Sequence, residues 1–431
     1  LIVPARDDDP DSFISEDGVR VKVDARMPSG VEAFSRKLDE IVPGSYESSM
    51  KALDLGRQMF AAFADLEDMD NINPVDLIRK HGKFIPDAAR IVTSTVTEVL
   101  DTLGMPKRAQ DIFTSYWCYM GVPNSQFDFL YFMAMDYGYV KEGAAMPRMR
   151  SHEMSLAVDK VIRDNGGEIW YNSEVTGVIT KDGKPCGVVI NGEKEVYADY
   201  IICNTHPNFA WNDLFEKKDI PARQLSMTNA RDIACALTTV YIGLDIPKEE
   251  LGLKDYSIFV APATDSDSQY ALAKKGFGSG FCIINCMNVA LPDFSPEGTC
   301  ALFLTGMTFD DVMKDVKPED YKRFKEKVAL DMIETCEKAL NIDIQSHIEE
   351  IEIALPPTFS RYLNTPQGTP YGYMLNLWDS MIPRTVQFDK DIPFDNFVFC
   401  GASQERGDGY GSAYHTGEKA AEYVLKKISG K

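Results

Sequence analysis

Apolar and polar positions alternate in more than one register along this chain. Val19, Val21 and Val23 alternate with Arg20 and Lys22 as in a half-buried strand. Residues 31–69 then switch to helical spacing, with Val31, Phe34, Leu38 and Ile41, and later Leu53, Met59, Phe60 and Phe63. From 73 to 140 the pattern stays largely helical, broken at Pro74, Pro86, Pro106 and Pro123, and it contains the aromatic stretch 112–140. Those aromatics read either as plain core or as the lining of an apolar pocket.

Between 151 and 204 the pattern is easiest to follow. Ser151 opens a helix carrying Met154, Ala157, Val158, Val161 and Ile162 on one stripe, and Gly166-Gly167 stops it. A strand from Glu174, an Asp-Gly turn, a second strand, an Asn-Gly turn and a third strand predict an antiparallel meander. Tyr200 to Cys203 is short and continuously apolar, as in the middle of a parallel sheet. Strands follow around 235–246, 280–291 and 300–307, then an amphipathic helix over 318–340 with Tyr321, Phe324, Val328, Met332 and Cys336 on one side. Residues 357–377 read as a loop rich in Pro, Gly, Thr and Tyr. Phe397 to Cys400 is a last buried strand, followed by a glycine-rich turn and a helix from about Ser412. These blocks do not divide cleanly along the chain, so two domains are expected, each assembled from separated segments.

The length of 431 residues is consistent with two domains. A composition of 44% hydrophobic and 11% aromatic residues is globular, and no run approaches the roughly 18 apolar residues of a membrane-spanning helix. The net charge of −21 argues against nucleic acid as a partner and against anionic lipid. Nine cysteines, at 118, 186, 203, 235, 282, 286, 300, 336 and 400, are scattered without a Cys-x-x-Cys pair, which reads as reduced thiols in a cytoplasmic protein. Cys282 and Cys286 have no neighbour that completes a metal-ligand set, so no metal is expected. The start, "LIVPARDDDPDSFISEDG", has neither an initiator Met nor a signal peptide and reads as the middle of a longer protein.

The candidate chemistry gathers at 397–422. A helix that begins after closely spaced glycines offers unpaired N–H groups and the positive end of its dipole to a phosphate or a ring oxygen. Ala413, Gly417, Ala420 and Ala421 keep the sheet-facing side of that helix small. A strand, a glycine loop and a helix also occur where glycines serve packing alone, so both alternatives stay open on these residues. Hydrolytic or metal chemistry finds no paired carboxylates, Ser-His-Asp set or His cluster, and there are five histidines in all.

Several stretches together resemble the phytoene desaturase family of flavoproteins, which includes carotenoid desaturases, carotenoid isomerases and retinol-saturase-like reductases. The matching pieces are Gly166-Gly167, Glu174-Val175, Cys203-Asn204-Thr205-His206-Pro207, the loop with Phe359, Arg361, Tyr362, Gly368, Tyr371 and Gly372, and Gly401-Ala402 through Gly409, Gly411, Ser412, Gly417, Ala420 and Ala421. The resemblance spans most of the chain, and the order of its pieces is more specific than any one of them. It implies an α/β fold: a glutathione-reductase-like, Rossmann-type FAD/NAD(P)-binding domain from 141–222 and 375–431, and an α+β substrate domain from 1–140 and 223–374. The family's strand–GxGxxG–helix unit and its ribose-binding acid are absent from this sequence, which implies that the nucleotide-binding unit lies upstream of residue 1.

FAD is the cofactor implied, with Val175 on its adenine side and Asn204, Gly401, Ala402, Gly409, Gly411 and Ser412 at the pyrophosphate, ribityl chain and ring. Hydride transfer at flavin N5 needs no fixed protein base, so Tyr410, Arg361, Tyr362 and Asp408, with Arg406 and His415 beside them, are candidates for proton donor or substrate anchor. The implied activity is desaturation, saturation or isomerisation at a carbon–carbon bond of an apolar or semi-polar small molecule. Amine oxidase-like C–N oxidation and a non-catalytic binding or assembly subunit are the alternatives. Glu405, Arg406 and Asp408 stand where carotenoid enzymes tend to have small residues or proline, which points to a smaller polar or carboxylated substrate. Peripheral contact of the aromatic stretch 112–140 with a membrane, and oligomerisation, are further expectations.

Overall fold

The computed structural model describes residues 2–4, 27–67, 74–143, 147, 150–380, 383–385 and 393–430. The Val19–Val23 strand expectation lies outside these residues. Two compact units account for the chain, each discontinuous. One comprises Leu1–Gly143, Ala234–Pro357 and Met374–Ile382, and the other Ala144–Ile233, Thr358–Tyr373 and Pro383–Lys431.

The first unit has a helical part and a sheet. Helices Val31–Ile41, Tyr46–Glu67 and Phe129–Glu142 bury Leu38, Leu53, Met59, Phe127, Phe129, Phe132 and Met133 in one cluster. Most of the aromatic stretch 112–140 is therefore core. The short helix Val96–Thr102 begins on a matched cap, where Thr95 and Glu98 form a reciprocal capping box. Asp128 accepts the Tyr131 N–H at 2.7 Å and starts the helix Phe129–Glu142.

The sheet has six strands in the order Ile2–Pro4, Ser257–Ala261, Cys282–Cys286, Cys300–Thr308, Ala236–Leu244 and Ile348–Ala354. The first pair is parallel and the others are antiparallel. Val240, Ile242, Leu244, Leu302 and Leu304 point from the two central strands toward Ala329, Ile333 and Cys336 of helix Tyr321–Leu340, as the period-two and period-four spacings require. All nine cysteines are free thiols.

In the second unit, strands Val175–Lys181, Lys184–Ile190 and Lys194–Tyr197 form the expected meander. Its turns carry positive φ at both central residues, Asp182 with Gly183 and Asn191 with Gly192, the conformation that matches strand twist in tight hairpins; the first loop has two residues and the second three. Ile201–Cys203 pairs in parallel with Phe397–Phe399, so residues nearly two hundred apart in sequence share one small sheet. Trp211, Phe215 and Phe397 pack beneath it.

Two expectations change here. The strand at 201–203 is not enclosed on both faces, because Ile202 remains 44% exposed in a two-stranded sheet. The helix Arg150–Asp164 forms as expected, but Val158, Val161 and Ile162 on its apolar stripe are exposed, and no described residue covers them. Among the described residues no helix is long and apolar enough to cross a membrane.

Candidate functional site

Parallel pairing brings the ends of two strands together, and the candidate site grows from that point. The Cys400 N–H donates to the Cys203 carbonyl at 2.9 Å, continuing the ladder one step past the strands. Asn204 and Gly401 follow side by side. A Cβ on Gly401 would lie 2.1 Å from Asn204 Oδ1, and the Gly401 φ of +90° lies where L side chains are strained, so glycine is required twice over. The Gly401 N–H donates to Thr416 Oγ1 at 2.9 Å, and that hydroxyl donates to the Ala413 carbonyl at 3.0 Å, which ties the turn to the first turns of the following helix.

That helix, Tyr410–Ser429, spans 20 residues and starts from Gly409 at φ 96° without a side-chain cap. Its leading N–H groups therefore lack an intrahelical or capping acceptor. Added Cβ atoms at Gly409 and Gly411 would meet nothing within 4 Å. An uncapped N-terminus of a long helix beside a glycine turn at the carboxyl ends of parallel strands fits a phosphate or the electron-rich edge of a flavin. Asn204, Gly401, Ala402, Gly409, Gly411 and Ser412 lie within this one segment pairing.

A second layer holds the turn from behind. Gly372, at φ +81°, passes so close to the loop that a Cβ would lie 2.9 Å from Ser403 Oγ and 3.0 Å from the Ala402 carbonyl. Arg384, 7% exposed, donates to the Gln404 carbonyl at 3.0 Å and the Tyr373 carbonyl at 3.3 Å, joining the two segments. Tyr373 is fully enclosed, with its hydroxyl 2.6 Å from Asn208 Oδ1, the Arg231 guanidinium 3.8 Å above its ring and the His206 ring at its edge. Burial pushes His206 down to about 4, and the Arg231 cation adds to this, so the imidazole is neutral; its Nδ1 accepts the Asn208 N–H at 3.3 Å. We expect Tyr373→Phe to cost about 1 kcal/mol in urea unfolding, because the half-buried Asn208 acceptor loses its donor.

The charged residues of the loop divide. Glu405 is 3% exposed and sits 3.0 Å from Lys419 Nζ, so it braces loop against helix and is not offered to a substrate. Asp408 is half-buried, and burial pushes its carboxyl up to about 7 against the opposing pull of its backbone N–H and the Arg384 cation. Near neutral pH it exists partly as the acid, able to donate a proton or a hydrogen bond. His415 is half-buried and lowered, first by burial and then by Arg406.

Other predicted residues are placed differently. Tyr410 is 60% exposed at the first position of its helix. Arg361 and Tyr362 belong to the helix Pro356–Leu363, where Tyr362 is 78% exposed, and no hydrogen bond or ring contact among the described residues joins either to the Gly401 turn. Val175 opens the meander and packs against the Trp211 cluster. Sequence reasoning missed Tyr373, Arg384, Arg231 and Thr416. For Thr416 a signal existed, since it lies one turn after Ala413 on the sheet-facing side of the helix; the two arginines and Tyr373 stand in no repeating pattern.

No family model matches the chain. In sequence it is 25% identical over 234 residues to a prolycopene isomerase of Daucus carota, covering 51% of this chain and 36% of that protein. It is 24% identical over 324 residues to an all-trans-retinol 13,14-reductase of Danio rerio, covering 69% and 51%, and 22% identical over 405 residues to a zeta-carotene-forming phytoene desaturase of Myxococcus xanthus, covering 90% and 73%. The chain is similar to carotenoid and retinol isomerases, reductases and desaturases. That likeness bears out the resemblance read from the motifs. The chain spans about a third of the length of the carrot relative and half that of the fish one.

Among solved structures, putrescine oxidase bound to putrescine superposes with a TM-score of 0.57 at 15% identity, covering 96% of this chain and 80% of that one. An oxidoreductase from Methanosarcina mazei gives 0.52 at 14% identity, covering 81% and 73%. These likenesses establish the fold, the α/β architecture of such oxidoreductases.

Proposed function

We propose that this chain belongs to an FAD-dependent oxidoreductase that desaturates, saturates or isomerises a carbon–carbon bond of an apolar or semi-polar small molecule. The supporting observation is the junction of Ile201–Cys203 and Phe397–Phe399, whose strand ends lead to Asn204 over Gly401 and to an uncapped 20-residue helix. The relatives named for prolycopene, all-trans-retinol and phytoene support the apolar substrate.

In this reading the backbone N–H groups of Gly411 and Ser412 would hold the cofactor, and Asn204, beside Gly401, would limit its approach to the turn. Bound FAD supplies hydride transfer, the hard part of the chemistry. Asp408, raised to about 7 by burial, holds a proton available near neutrality, with the Arg384 cation pulling its pKa the other way. Tyr410, Arg361 and Tyr362 remain candidates whose exposure leaves them free to meet a ligand, while half-buried Val175 remains a candidate wall on the adenine side.

The test is a flavin spectrum. The chain, expressed behind a strand–GxGxxG–helix unit and supplied with FAD, is expected to purify yellow, and Asp408→Asn is expected to keep the flavin while losing the limb of the pH–activity profile near 7. A colourless protein under those conditions overturns the enzyme reading in favour of a binding or assembly subunit.

A further inference from the structure

Cys282 and Cys286 lie four residues apart on one face of strand Cys282–Cys286, and each meets a second thiol in the core between the sheet and helix Tyr321–Leu340. Cys282 meets Cys336 of that helix, and Cys286 meets Cys300 of the neighbouring strand, in both cases within hydrogen-bonding reach. The register places the second pair. Cys286 stands opposite Leu302, and Cys300, two residues before Leu302, points to the same face, so the two cysteines are diagonal neighbours across adjacent antiparallel strands. The pairing ends at Cys286, where the strand gives way to the short helix Met287–Ala290, so the backbone on that side is not held by the ladder beyond this point.

The two pairs differ in electrostatics. Burial pushes the Cys336 thiol well up. Cys286 is the opposite case: the hydrogen bond from Cys300 outweighs burial, and the Val289 and Asn288 N–H groups and the Lys248 cation add to it, so this thiol ionises more readily than an ordinary one. Cys300 is pushed up in return, by that bond first and then by burial. A thiol inclined to ionise beside one that keeps its proton is the arrangement of an attacking and a resolving cysteine. Cys286 is 1% exposed and Cys300 0%, so a small oxidant reaches them through local opening. The elements next to the pair are the four-residue helices Lys248–Leu251 and Met287–Ala290, each held by few backbone bonds.

We propose that Cys286 and Cys300 form a peroxide-driven disulfide, a latch that joins the two strands under oxidation. The Cys286 thiolate attacks one oxygen of hydrogen peroxide, the O–O bond breaks, and the departing hydroxide takes up the proton that the thiol released. The Cys300 thiol then attacks the sulfenic sulfur; the S–S bond forms, the S–O bond breaks, and the Cys300 proton leaves with the oxygen as a second water. Two thiols are oxidised to one disulfide, and peroxide is reduced to two waters. The bridge closes a loop of roughly fifteen residues, which restrains the unfolded chain. The latch lies wholly within the first unit and does not depend on the flavin reading.

The test treats the full chain with hydrogen peroxide, blocks remaining thiols in denaturant and digests without reductant, using an endoproteinase that cuts after Glu297 and so separates the two cysteines. Wild type is expected to yield a linked Cys286–Cys300 peptide pair and to lose two of its nine free thiols, both restored by dithiothreitol. Its melting temperature is expected to rise by roughly 5 °C on oxidation and to return on reduction. Cys300→Ala is expected to stop at the Cys286 sulfenic acid, trapped by dimedone, with no such rise, while Cys282→Ala keeps the link. Should Cys300→Ala not fold, the wild-type peptide map decides alone. Nine thiols left after peroxide treatment, a bridge between other cysteines, or a Cys286–Cys300 link that leaves the melting temperature unchanged overturns the proposal. A colourless protein in the flavin test leaves this result standing, so the two failures are distinguishable.

Discussion

Gly401→Ala is expected to destabilise the second unit by roughly 3 kcal/mol and to abolish the flavin retention proposed above, because two independent penalties meet at one atom. The new Cβ would lie 2.1 Å from Asn204 Oδ1, far inside contact distance, and the backbone at φ +90° is strained for any L side chain. Relief by rotating Asn204 away removes the side chain that overlies the turn, while relief by moving Gly401 breaks its N–H bond to Thr416 and with it the link to the helix. Gly411→Ala is the control. That residue lies in the first turn of the helix, an added Cβ meets nothing within 4 Å, and alanine favours the helix by about 0.5–1 kcal/mol. Urea unfolding followed by far-ultraviolet circular dichroism checks both. Adding Asn204→Ala to Gly401→Ala should recover the part of the loss due to collision and not the part due to φ, so the double variant separates them. Equal stability of Gly401→Ala and wild type would show that the turn is not held as described.

The contrast between these two glycines marks where sequence reasoning was sufficient. A glycine-rich turn between a buried strand and a helix was visible, as were the meander and its Asp182-Gly183 and Asn191-Gly192 turns, because each is encoded within a few consecutive residues. Which glycine could not be replaced was not visible, since the atom that excludes a Cβ at Gly401 belongs to Asn204, brought there by strand pairing across the chain. The same reason hid Arg384 and Tyr373: each acts through contacts with segments distant in sequence. Residues 357–377 read as loop because of their prolines, yet Pro356 and Pro357 occupy the first helical positions, where a missing N–H costs nothing, and helix Pro356–Leu363 follows. For the helix Arg150–Asp164, periodicity located an apolar stripe and could not say what covers it. Glu405 reads in the sequence as part of a charged trio that suits a polar or carboxylated substrate; its burial against Lys419 comes from the fold of the turn onto the helix and was not visible there.

Asp136 carries the second large effect, in the helical part of the first unit. It occupies the buried side of helix Phe129–Glu142 with Phe132 and Val140 one turn to either side, is 0% exposed, and neither carboxyl oxygen has a hydrogen-bond partner among the described residues. Desolvation with nothing to offset it holds the carboxyl well above the usual range, so the group is a neutral acid in the native protein. Tyr116 lies close enough that an Asp136 charge would help burial push its phenol up to about 12. The sign follows from linkage. With the native pKa raised above the unfolded one, the stabilisation is complete below about pH 4 and is lost progressively as pH rises toward the native pKa. Asp128 and Asp111, raised to about 6 by burial, act in the same direction but are shared by wild type and variant and cancel in the difference. Asp136→Asn cannot ionise. Relative to wild type it should gain about 1–3 kcal/mol between pH 5 and pH 8, and Asp136→Leu, which removes the orphaned polar atoms as well, should be the more stable variant at pH 8 if the helix tolerates the added methyl groups. Urea unfolding at both pH values measures this. A wild-type-to-Asn difference that is the same at pH 5 and pH 8 would show that Asp136 does not titrate in this window and that its carboxyl is paired in solution.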